Sequence, residues 1–164
     1  DRSPSRGLGD VYKRQRLAQA QAQAVRTERN MSLDLASRIA SATVAACSAN
    51  GYNVTAAVVD RAGQLRALYR ADNAGPHTVG AAQGKAFTSA SARNTTTAML
   101  ENSQKNPGAA NLGQIPGFLL VGGGVPVKVG NDTIGAVGVG GAPGGHLDEQ
   151  CAMTALDKVK DLLQ

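Results

Sequence analysis

The stretch "AVGVGGAPGGHLDEQCA", residues 136–152, decides how the chain folds. Read as a glycine-rich phosphate cradle, it demands a parallel nucleotide-binding sheet. Read as the turn between a last strand and a last helix, it closes an antiparallel one. "TIGAVGVG" suits a strand, "GAPGG" lets the backbone turn sharply, and "HLDEQ" opens a helix whose first turn carries Asp148 and Glu149 at the favourable end of its dipole. The stretch lacks GxxxxGK[ST], and it lacks a GxGxxG followed by an acidic ribose contact in a continuing parallel unit. The turn reading is therefore expected. Its alternative is a pocket lip, because amides at a helix start accept anions, although Asp148 and Glu149 would oppose one if they pointed inward.

Working outward, "FLLVGGGVPVKVGNDTIGAVGVGG", residues 118–141, holds three short strand-forming runs with turns near 122–124 and 130–132. Earlier, "YNVTAAVVD" and "QLRALYR" are branched and aliphatic runs joined by "DRAG", a hairpin signal. "SLDLASRIASATVAACSANG", residues 32–51, sets Leu33, Ile39, Val44 and Cys47 on one apolar stripe, with Ser32 to cap the helix and Gly51 to end it. Further helices are predicted over residues 79–92, over 97–103 ahead of Pro107, and over 146–163. The order is helix, two strands, one or two helices, three strands, helix. It predicts an α+β fold with a five-stranded, mainly antiparallel sheet flanked by helices, since a doubly wound fold needs repeated strand–helix crossovers.

At 164 residues the chain is expected to hold one domain. With two Phe and three Tyr, its core must be filled by Ala, Val, Leu and Ile. The net charge of +5 is concentrated in residues 1–30, which hold seven basic and three acidic residues, so the body is nearly neutral. Without a basic stripe interleaved with aromatics, nucleic-acid recognition has little support. No apolar run is long enough to span a membrane.

Residues 1–30 form a separate head. "DRSPSRGLGDVYKRQ" has no lasting amphipathic period and resembles a translated cloning or sequencing junction, while "LAQAQAQA" resembles the small-residue end of a secretory signal without its apolar core. The expectation is a non-native or signal-remnant, disordered head, with a disordered native tail or a short Ala/Gln helix as alternatives, followed by a folded domain over residues 31–164. Cys47 and Cys151 lie too far apart for a CxxC pair. Two separate buried thiols are expected, and a disulfide is the alternative in an oxidising compartment with the two helices adjacent.

Few residues offer chemistry. His77 sits in "DNAGPHT", between a strand and a helix, where it is either presented to a ligand or a plain helix-start residue. His146 has the same two readings, and neither belongs to an HExxH site. Lys85 and Arg93 are eight positions apart on one helix, which roughly restores a helical face. They would either meet ligand carboxylates together or serve as solvated or interhelical charges. Thr78, Thr88 and Ser89 offer hydrogen bonds, but no nucleophile with a partnered base is visible. Asp60 is explained by its turn and Asp72 by a cap or loop contact.

Taken together, "VTAAVVDRAGQLRALYRADNAGPHT", "GKAFTSA", "GGGVPVKVGNDTIGAVGVGGAPGGHLDEQCA" and the terminal helix resemble the GlcG/HbpS family, also called the haem-degrading or DUF336 family, over about residues 31–163. The resemblance implies a profilin-like or sensor-like domain that assembles as a homo-oligomer. It also implies haem or a related tetrapyrrole as ligand, a role in haem or iron handling or redox sensing, and a sensory protein as a partner. Pocket pieces implied are the 72–78 loop, the Lys85 region and the 140–148 loop. On this reading His77 approaches the iron as the metal ligand, Thr78 assists, Lys85 or Arg93 meets the propionates, and Gly141 and Gly144 admit the flat ligand. Periplasmic or secreted export is expected, with the cytoplasm as the alternative. Two other functions stay open: a small-metabolite enzyme for 2-hydroxy or 2-oxo acids, and a noncatalytic structural or sensory oligomer. Whether the protein is catalytic is likewise open.

Overall fold

The structure, a computed structural model, describes the backbone of residues 5–164 and the side chains of residues 7–17 and 24–164. Helix α1 (Ser5–Ala24) runs through the head, and its described side chains are exposed. Residues 26–31 then lie against the body through a charged knot. Arg61 donates to Asp132 at 2.7 Å, Arg29 donates to the same carboxylate at 3.3 Å, and the Asn30 side-chain oxygen accepts from the Arg61 and Met31 amides.

Helix α2 (Leu33–Ala49) starts where Ser32 accepts a hydrogen bond from the Leu35 amide. It buries Ala36, Ile39, Ala40, Thr43 and Cys47. Strands β1 (Thr55–Asp60) and β2 (Leu65–Arg70) form the expected hairpin. Its turn is held by the Asp60 carboxylate, which accepts from the Ala62 and Gln64 amides. Helices α3 (His77–Ala92) and α4 (Thr96–Lys105) follow, then β3 (Gly124–Val129), β4 (Asp132–Gly140) and α5 (Gly145–Lys158).

All strand pairs are antiparallel, in the order β2-β1-β4-β3. Alternation along β1 sends Ala56 and Val58 to the larger core with α2 and α5, and Val59 to a smaller cluster with Ala86, Ala90 and Ala136 under α3. Small residues let α3 come very close. A Cβ on Gly138 of β4 would overlap the Ala82 carbonyl.

The described residues form four strands rather than the five predicted. Residues 118–121, the apolar run read as a strand, lie along the helices instead, because side chains take up their backbone groups. The Leu119 amide donates to Thr88 Oγ1 at 2.8 Å, and the Val121 carbonyl accepts from Thr96 Oγ1 at 2.7 Å. Aromatic and β-branched residues such as Phe118 and Val121 favour extended backbone, and what that backbone pairs with is set by tertiary neighbours.

The thiol expectation is also corrected. Cys47 on α2 and Cys151 on α5 form a disulfide, with Cα atoms 5.3 Å apart. The two helices pack side by side on one face of the sheet, which the separation of 104 residues does not reveal.

Candidate functional site

At the end of β4 the chain crosses from one face of the sheet to the other. Gly140 and Gly141 end the strand, Ala142 and Pro143 turn, and Gly144 caps α5 without a side-chain hydrogen bond. Gly141 has φ +125°, and a Cβ there would lie 2.5 Å from the Asn53 carbonyl, so both conformation and space call for glycine. This turn, the first half of α3 and residues 119–121 enclose a cleft of about 460 Å³. Its size falls within the roughly 300–1,000 Å³ span of small-molecule and cofactor clefts.

Four of the six predicted site residues, His77, Lys85, Gly141 and Gly144, line this cleft. His77 is the first residue of α3, exposed, with its ring folded over Gly75. A Cβ on Gly75 would come within 2.8 Å of that ring. Thr78 is buried beside the cleft, where its hydroxyl bonds Thr55 Oγ1 at 2.8 Å and donates to the Gly75 carbonyl. It acts as a peg between α3 and β1. Arg93 does not line the cleft. It caps the far end of α3 at φ 57°, eight residues or about 12 Å beyond Lys85. His146 is exposed on α5, with its ring over Gly144.

Lys85 is neither solvated nor free. Its side chain is 5% exposed, and Nζ donates to the Val139 carbonyl at 2.8 Å and to Asp148 Oδ2 at 3.1 Å. Asp148, 4% exposed, accepts from the Ala142 amide on its other oxygen at 2.9 Å. The pair joins α3 on one face of the sheet to α5 on the other, around the end of β4. Burial holds the Asp148 carboxyl above its usual range, against the pull of the Ala142 amide and of Lys85.

Leu119 and Val121 are cleft residues to which the sequence reading gave no site role, and the partnership of Asp148 with Lys85 was likewise not anticipated. The available signal was a lone lysine between Ala82 and Ala86 on a face otherwise made to pack closely. A charge there must be paired. Among the described residues no group of three His, Cys, Asp or Glu is placed to hold a metal ion. None of the described helices is long and apolar enough to cross a membrane. A second hollow, of about 360 Å³, lies between the Arg29 segment and the Leu162 turn and contains none of these groups.

An antiparallel sheet with helices on both faces and a glycine-walled cleft at one end defines a sensor-like α+β domain. Residues 31–157 match the family described as haem degrading protein HbpS-like, and the chain belongs to that haem-associated family. It is 36% identical over 115 residues to protein GlcG of Escherichia coli strain K12, an alignment covering 70% of this chain and 84% of GlcG. A double mutant of HbpS from Streptomyces reticuli superposes with a TM-score of 0.78 at 34% identity, covering 83% of this chain and 91% of that one. The Klebsiella pneumoniae protein ORFY, of family DUF336, gives 0.76 at 27% identity, covering 81% and 92%.

Proposed function

We propose that the cleft binds haem or a related tetrapyrrole, with His77 as the iron ligand. The observation that carries this reading is the presence of one imidazole in the wall of a largely apolar cleft. His77 is the only histidine lining a cleft walled by Ala81, Leu119, Val121, Ala142 and a run of glycines. An exposed imidazole at a helix start has a ring nitrogen to offer a metal, and glycines leave room for a planar ring. When bound, the group would supply iron redox chemistry. The protein's part is to present His77, exclude water with the residues 119–121 wall, and keep the floor free of side chains.

The structure alters how the ligand's carboxylates would be met. Lys85 is committed to Asp148 and Val139, and Arg93 is too far along α3. Propionates would therefore face the open mouth of the cleft. The disulfide supports export to a periplasmic or extracellular compartment, where such bonds persist. Exposed Leu65 and Tyr69 on β2, an edge of the sheet, support a homo-oligomer.

Adding haem to the purified protein should give a saturable Soret shift, and His77→Ala should weaken binding about tenfold or more. Unchanged binding by His77→Ala would remove the ligand assignment. No saturable shift with the intact protein would remove the tetrapyrrole reading.

A further inference from the structure

The Lys85–Asp148 pair is larger than its structural task. Two helices packed around a strand end are joined as well or better by apolar side chains, and burying two charges carries a desolvation cost that their attraction often fails to offset. Here the pair also forms part of the wall of an open cleft. Lysine offers three N–H donors, and two of those on Lys85 are engaged, by Val139 and Asp148. The third N–H of Nζ has no hydrogen-bond acceptor among the described residues. A carboxylate that can receive its proton stands 3.1 Å away.

We propose that Lys85 is a nucleophilic amine that forms an imine with small aldehydes or ketones in this cleft, with Asp148 as its proton shuttle. The Lys85 ammonium passes a proton to Asp148, and the freed nitrogen pair attacks the carbonyl carbon. A C–N bond forms as the C=O π pair moves to oxygen, which is protonated through Asp148 to give a carbinolamine. The hydroxyl then leaves as water with a second proton relayed from nitrogen, and the C=N bond closes. In sum, ammonium and carbonyl give protonated imine and water, with charge conserved and no oxidant or reductant needed. Burial, which makes Asp148 a readier proton acceptor, favours the first transfer. The walls of Ala81, Leu119 and Val121 and the size of the cleft suit short aliphatic carbonyl compounds. This use of the cleft does not depend on haem binding.

The test is reductive trapping on haem-free protein with acetone and cyanoborohydride at neutral pH, followed by peptide mapping. Exposed Lys105, Lys128 and Lys158 are internal controls. Lys85 should be isopropylated about tenfold faster than any of them, as for an activated lysine. Asp148→Asn should slow Lys85 alone by a similar factor. The proposal is overturned if Lys85 stays unmodified or reacts no faster than the exposed lysines. That comparison needs only the wild-type chain, so it stands even if the variant fails to fold. Haem titration of the same sample reports the tetrapyrrole reading separately.

Discussion

At the scale of single residues, two aspartates respond to acid in opposite ways. The folded state holds the Asp148 carboxyl above its ordinary value, chiefly through burial, so folding takes up a proton there. Its contribution to stability therefore grows as pH falls through that raised value, and is complete below the ordinary carboxylate range. Asp132 is held below its ordinary value, first by the hydrogen bond from Arg61, so its contribution is present above the ordinary range and is lost on further acidification. Compared by urea midpoint, wild type should gain on Asp148→Asn as pH is lowered from neutrality. A change of the opposite sign would mean that Lys85's attraction outweighs burial. Asp148→Ala, which leaves Lys85 without its charged partner and the Ala142 amide without its acceptor, should cost about 3 kcal/mol at pH 7 by the same measurement. The family resemblance implied a pocket at Lys85, and the sequence put Asp148 in a helix's first turn. Their union was not legible because 63 residues separate them and the contact runs around the end of the sheet.

At the scale of elements, the contact of α3 with β4 is governed by the absence of side chains. Gly138→Ala would drive a methyl into the Ala82 carbonyl, which is backbone and cannot swing aside. It should destabilise by about 1–3 kcal/mol in chemical denaturation. Gly80→Ala, in the same helix but facing open space, should stabilise by about 0.5–1 kcal/mol. If both changes prove neutral, α3 does not lie on β4 this closely. Periodicity, capping and turn chemistry made α2, the β1–β2 hairpin, the β3–β4 turn and α5 readable, because those signals are local. Residues 118–121 defeated the same reasoning. Their apolar run, with Phe118 and Val121, favoured an extended backbone, and the distant hydroxyls of Thr88 and Thr96 bind that backbone alongside the helices.

At the scale of the whole molecule, the Cys47–Cys151 bond should matter more than any single contact. Replacing both cysteines with alanine should lower stability by about 2–5 kcal/mol in urea titration, since the bond constrains a long loop in the unfolded chain. Removing residues 1–24 should shift the same transition by no more than about 0.5 kcal/mol, because the described side chains of α1 are exposed and the charged knot at residues 26–31 is kept. A larger loss would show that α1 packs against the body. The glycine turn of residues 140–145 had two competing readings in the sequence, strand-to-helix turn and pocket lip. The fold shows one segment serving as both, since the turn itself walls the cleft.

The same bond has a consequence for survival among proteases. Cys47 and Cys151 close a covalent ring that holds every strand, α3, α4 and the cleft-forming segments. A single cut in the exposed stretch after α4 leaves both fragments in one molecule, which runs intact on a non-reducing gel and separates only when reduced. Releasing a piece of the cleft requires two cuts inside the ring, so nicked protein can persist with its cleft assembled.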